Sequence, residues 1–161
     1  MSMKQLLEQY HDDFRYNGKA EGSESSLRVL IVDDDEFTRR HLSGILSAVG
    51  YEVSGVAVDG ADAVARYQEQ GPDVVTMDIE MPVLDGIESL KKIREINSRA
   101  NVVMVSAGRL GQISTMNLLK DSIRCGAIDF ILKPVTETNL QRFLMVLKLA
   151  SQGKLRTMPT G

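Results

Sequence analysis

Acidic side chains stand at two places where a buried strand would end. Asp33-Asp34-Asp35 follows Val29-Leu30-Ile31-Val32, and Asp78 follows Val74-Val75-Thr76-Met77. Ser106 closes a third apolar run and Lys133-Pro134 a fourth. If the fold gathers these ends, three or more neighbouring carboxylates repel, and their ionised state requires a counter-cation. An all-oxygen site with an open side suits Mg2+, which keeps several waters and completes its shell with a phosphate oxygen. Lys133 would add a compact positive charge, and Ser106 a hydroxyl donor for a phosphoryl oxygen. A carboxylate can itself accept a phosphoryl group, forming an aspartyl phosphate. Positioned charge is most of what that transfer requires.

The elements that must do the positioning are legible from residue Leu27 onward. Strands are expected at Val29–Val32, Val53–Val58, Val74–Met77, Val102–Val105 and Ile128–Leu132. Three of these are nearly continuous aliphatic runs, as expected of strands covered on both faces of a parallel sheet. Helix-length segments with one apolar face lie between them. Leu42, Ile45, Leu46 and Val49 follow the i, i+3, i+4, i+7 spacing, and Leu140, Phe143, Leu144 and Leu147 repeat it. Gly50, Gly71 and Gly126 stand where a left-handed helix stop is expected. The alternation gives an α/β fold, a doubly wound five-stranded parallel sheet with helices on both faces and right-handed crossovers. In such sheets chemistry sits beyond the carboxyl ends of the strands, where the acids, the serine and the lysine lie.

Three regions are expected along the chain: an appendage over residues 1–26, a compact α/β domain over 27–151, and a tail over 152–161. In the first, Leu6, Leu7, Tyr10 and Phe14 mark a short amphipathic helix, and Asn17–Ser26 is a polar, Gly/Ser-rich linker. No second domain is expected after residue 151. The formal net charge is −3 and no element carries a basic stripe, which argues against nucleic acid as a partner. A single cysteine, Cys125, allows no internal disulfide and fits a reducing compartment. With no apolar run near the ~20 residues of a membrane span, and no apolar signal core, the expectation is a cytoplasmic protein without membrane insertion.

Four motifs in order, each at a strand end, carry a specific resemblance: Val29–Asp35, Val75–Gly86 (with Met81-Pro82 and Asp85-Gly86), Val103–Ala107 and Asp129–Pro134. Over about residues 28–150 the chain resembles the receiver domains of two-component signalling, chemotaxis-type stand-alone regulators above all. The resemblance implies a flavodoxin-like strand order 2-1-3-4-5 and a Mg2+ cofactor. It makes Asp78 both the phosphorylated aspartate and a metal ligand, Asp34 a direct metal ligand, Asp33 a ligand through water, and the Glu80 backbone carbonyl a further ligand. Ser106 takes the place of the switch hydroxyl, Lys133 that of the phosphate-pairing lysine, and Phe130 that of an aromatic that swings inward on activation. The Lys133–Pro134 bond would be cis, which an X-Pro bond adopts at small cost. The implied partners are a sensor histidine kinase or phosphotransfer protein and a downstream protein target. Beyond its own phosphorylation and dephosphorylation, no enzymatic activity is implied.

Two features depart from the family pattern. The stretch from Ser106 to Lys133 is several residues longer than usual, with the extra chain expected in Gly108-Arg109-Leu110-Gly111-Gln112. Glu80 places a carboxylate beside the phosphoryl position, while Gly108 leaves the other flank without a side chain.

Plainer readings stand beside these. Asp35 reads as a solvated loop residue, and Asp85-Gly86 as a turn and helix start. Met77, Met104 and Met116 read as core filler, Cys125 as a small packed side chain, and His11 and His41 as solvated. The N-terminal helix reads as a loosely docked arm, with a partner-binding segment as the other reading. The last helix adds Met145, Val146 and Leu149 to its apolar stripe, from deep burial or from a phosphorylation-dependent contact with a partner or second copy. Two other functions fit parts of the sequence. A phosphatase resembling the haloacid dehalogenase superfamily would use Asp33-Asp34-Asp35 as Asp-x-Asp, but the Asp-Gly-Thr/Val continuation is absent and Asp78 would have no role. A degenerate receiver acting as a constitutive interaction module would not need the complete acid, serine and lysine set.

Overall fold

The computed structural model describes residues 1–17, 26–108 and 111–153. The element order is α1 (Met3–Asn17), β1 (Arg28–Val32), α2 (Glu36–Ala48), β2 (Glu52–Ala57), α3 (Gly60–Gln70), β3 (Val74–Met77), α4 (Gly86–Ile96), β4 (Val102–Ser106), α5 (Ile113–Arg124), β5 (Asp129–Leu132) and α6 (Leu140–Ser151). All strand pairs are parallel, in the order β2-β1-β3-β4-β5. This is the doubly wound α/β sheet expected from the alternation, in the flavodoxin-like order that the resemblance implied, and the five strands match their expected spans to within a residue or two. Most of the linker and the Phe14 side chain lie outside the described residues, as do Arg109 and Leu110 of the lengthened loop.

Strand alternation sorts the apolar residues onto two faces. Val29, Ile31, Val74, Val103, Val105 and Ile131 pack with Leu42, Ile45 and Leu46 of α2 and with Leu140, Phe143, Leu144 and Leu147 of α6. Leu30, Val32, Val75, Met77, Val102 and Met104 pack on the other face with Ala63 and Tyr67 of α3, Leu90 and Ile93 of α4, and Phe130. Burial of this kind contributes about 1.5–3 kcal/mol per large aliphatic side chain, which is what holds the strand ends in register. Met3, Leu6, Leu7 and Tyr10 lay the apolar stripe of α1 against the first of these clusters. In α6, Val146 is buried and Met145 exposed, so the extra apolar residues are shared between the core and the surface. Met77 and Met104 are core residues, but Met116 is only half-buried and belongs to neither cluster. That outcome follows from α5, whose buried residues are only Thr115 and Ser122.

Local signals set the helix ends. Asp35, Asp59 and Asp85 each accept a hydrogen bond from the backbone N–H three residues on, capping α2, α3 and α4. Asp35 is therefore a helix cap as well as an exposed residue. Gly50, Gly71 and Gly126 all take positive φ after their helices. Gly86 is required for a different reason. A Cβ there would overlap the backbone carbonyl of Asp78, and its N–H donates to the Ile79 carbonyl at 2.7 Å. Gly86→Ala is expected to destabilise the fold by roughly 1–3 kcal/mol, the usual cost of overpacking against unyielding backbone. Urea denaturation checks this; an unchanged midpoint would mean the β3–α4 turn can shift freely.

Candidate functional site

The sheet's hydrogen-bond ladder runs one residue past each strand and pins the residues that carry the chemistry. Asp33 N–H donates to the Ala57 carbonyl at 3.1 Å, Asp78 N–H to the Val32 carbonyl at 2.9 Å, and Lys133 N–H to the Ser106 carbonyl at 2.9 Å. Asp33, Asp78 and Ser106 are buried, although each is polar. Buried polar groups are tolerated when they find partners, and here they find one another. Lys133 Nζ lies 2.6 Å from Asp33 Oδ2 and 3.5 Å from Asp78 Oδ1. Ser106 Oγ donates to Asp78 Oδ1 at 3.1 Å. The other oxygen of Asp33, Oδ1, accepts the Asp35 N–H at 2.9 Å.

The electrostatics follow from this crowding. Burial first, then the neighbouring Asp33 charge, pushes the Asp78 carboxyl up from 3.8 to about 6, against the pull of Lys133 and the Ser106 hydroxyl. Burial works against the Lys133 charge, but the Asp33 hydrogen bond and the charges of Asp78 and Asp33 outweigh it and raise the ammonium's pKa. One lysine thus faces an excess of carboxylates. Carboxylate oxygens of Asp33, Asp34 and Asp78 all lie within 4.8 Å of one another, with Asp34 exposed and the other two buried. Ligands on opposite sides of a Mg2+ ion are roughly 4.2 Å apart, so this all-oxygen set fits a small hard cation with slight closure. The exposed side at Asp34 leaves room for waters and a phosphate oxygen.

Each sequence-derived candidate has a definite place. Asp33, Asp34, Asp78, Ser106 and Lys133 converge, and Lys133–Pro134 is cis. Glu80 is exposed two residues beyond Asp78, and Phe130 is buried at 5% exposure in the α3–α4 cluster. Three supporting residues were not anticipated. Arg39 Nη1 donates to the Asp33 carbonyl at 2.8 Å. Asn139 Nδ2 donates to the carbonyls of Leu132 at 3.0 Å and Pro134 at 3.3 Å. His41, expected to be solvated, is half-buried, with Nε2 2.7 Å from the Val135 carbonyl. The partner is a backbone oxygen 94 residues away, so sequence spacing carries no signal for it.

Comparison with known proteins decides the family. The family model for the response regulator receiver domain matches residues 29–144. The chain belongs to that receiver family. The chain is 49% identical over 107 residues to the chemotaxis protein CheY of Bacillus subtilis, covering 66% of this chain and 85% of that protein. The response regulator domain of Thermotoga maritima CheB superposes with a TM-score of 0.69 at 38% identity, covering 80% of this chain and 98% of that one. CheY in the CheX-CheY-BeF3-Mg2+ complex of Borrelia burgdorferi gives 0.68 at 38% identity, covering 76% and 89%. This receiver is thus closely related to CheY. Among the described residues, no helix is long and apolar enough to cross a membrane.

Proposed function

We propose that this receiver is a single-domain response regulator of the cytoplasm, accepting a phosphoryl group on Asp78 from a sensor histidine kinase or phosphotransfer protein. The observation that carries the reading is the position of Asp78 Oδ1, 3.1 Å from the Ser106 hydroxyl and 3.5 Å from the Lys133 ammonium. An Asp78 oxygen attacks phosphorus, a P–O bond forms, and the bond from phosphorus to the donor's leaving group breaks. Lys133 pairs with the phosphoryl oxygens, and the Ser106 hydroxyl turns from the carboxylate to one of them. Mg2+ held by Asp34, Asp78 and the Glu80 carbonyl, with Asp33 acting through water, would supply neutralising charge for the transferring group.

Phosphorylation then stabilises one conformer of the face formed by α5, β5 and α6, with Ser106 drawn to the phosphoryl group and Phe130 held in the inward place it already occupies. The readers of that face are a downstream protein or a second copy of the chain. The related CheY of Borrelia burgdorferi is found in complex with a second protein, CheX, which supports a protein-contact output. Incubation with acetyl phosphate and Mg2+ tests the chemistry by intact mass: a single phosphoryl adduct that requires Mg2+ supports the receiver. Steady turnover of a phosphomonoester would instead favour the phosphatase reading.

Glu80 is proposed to govern how long the adduct lasts. Its exposed carboxylate stands two residues from the acceptor, where it obstructs and repels an incoming hydroxide-like water. Glu80→Ala is expected to shorten the aspartyl-phosphate lifetime roughly threefold to tenfold, about what one positioned charge contributes. Decay at the parent rate in both Glu80→Ala and Glu80→Asn would remove Glu80 from the account.

A further inference from the structure

Lys133 opens the turn from β5 to α6, and that turn is held from two sides. From within, Asn139 bonds the Leu132 and Pro134 carbonyls through Nδ2 and accepts the Thr136 N–H at 2.8 Å through Oδ1. That commitment explains why Asn139, at the N-cap of α6, makes no side-chain bond to its own helix. From across the fold, His41 of α2 reaches the Val135 carbonyl at 2.7 Å. A carbonyl only accepts, so Nε2 carries the hydrogen. The Phe37 ring stacks on the imidazole, with centroids 6.2 Å apart and planes 7° from parallel, and fixes its orientation.

The same helix is tied to the acids. Asp35 caps α2 directly after Asp34, and Arg39 donates to the Asp33 carbonyl. α2 therefore joins the two halves of the site, the acidic loop at its start and the lysine turn one helical turn later. Lysine is a flexible four-carbon stem, so the anchoring of its backbone decides where its ammonium can dwell.

We propose that His41 is a positioning residue: by pinning the Val135 carbonyl to α2, it sets the reach of the Lys133 ammonium over Asp33 and Asp78. The inference rests on the phosphoryl-acceptor reading of Asp78 and deepens it. The test compares His41→Leu and His41→Asn, which lose the bond or are too short for it, with His41→Gln, whose amide N–H can span the gap. Phosphorylation rates are measured with acetyl phosphate at saturating Mg2+, in the parent and in a Lys133→Ala background.

Loss of the bond is expected to slow phosphorylation roughly threefold to tenfold, with Gln near the parent rate and no further slowing when Lys133 is already Ala. Equal slowing in both backgrounds, a Gln variant no better than Leu, or a Leu variant as fast as the parent would overturn the proposal. Amide hydrogen exchange at Thr136 decides wherever an adduct cannot be measured. Faster exchange in Leu and Asn but not in Gln supports the clamp, and unchanged exchange overturns it. A parent that takes no adduct thus counts against the acceptor reading alone.

Discussion

Asp78→Ala is expected to gain no phosphoryl adduct under conditions that fully label the parent. The effect is all-or-none because the attacking oxygen is the one removed, and the neighbouring acids are poor substitutes. Asp33 is buried, with one oxygen held by Lys133 at 2.6 Å and the other by the Asp35 N–H. Asp34 is exposed and is not pinned by the ladder bonds that fix Asp33 and Asp78. Lys133→Ala should behave differently: it keeps the acceptor and loses the paired cation, so labelling slows on the order of a hundredfold but still ends on Asp78. Intact mass over a time course separates the two. Stoichiometric labelling of Asp78→Ala would move the acceptor to another carboxylate and dismantle the proposed roles together.

The fold was legible because its signals are local or periodic. Aliphatic runs such as Val29–Val32 and Val74–Met77 announced strands buried on both faces, and the acids and lysine at their ends marked the edge where chemistry collects. What escaped was long-range or dual-purpose. The His41 bond to Val135 joins residues far apart in sequence, and a lone histidine on a helix has no pattern to reveal it. Asp35 alone of the triplet read as a solvated loop residue, although an aspartate three residues before Thr38 could have been recognised as a helix cap. Met116 was misplaced because helical spacing cannot tell a tightly covered helix from α5, which buries only Thr115 and Ser122. Asn139 carried no sequence signal at all, because its role rests on backbone groups of the preceding turn that its side chain bonds.

The acid cluster that makes the site reactive should also weaken the fold, and pH reveals the sign. The Asp78 carboxyl sits at about 6 in the folded protein, raised by burial and then by the Asp33 charge, against about 3.9 in an unfolded chain. Between those values the folded state binds more protons than the unfolded one, so stability contributed by this group is present at low pH and is lost as pH rises toward 6. At neutral pH the ionised Asp78 therefore costs on the order of 3 kcal/mol. Asp78→Asn keeps an acceptor for the Ser106 hydroxyl without the charge. In Mg2+-free buffer at pH 7 it is expected to be more stable than the parent by about that amount, with the gain vanishing below about pH 4. Mg2+ should narrow the difference by binding the parent's carboxylates more tightly than the variant's. The chain has no tryptophan, so urea melts followed by far-UV circular dichroism at several pH values provide the measurement. A variant less stable than the parent at pH 7 without Mg2+ would mean that Lys133 more than balances the acids, and that the site stabilises the fold.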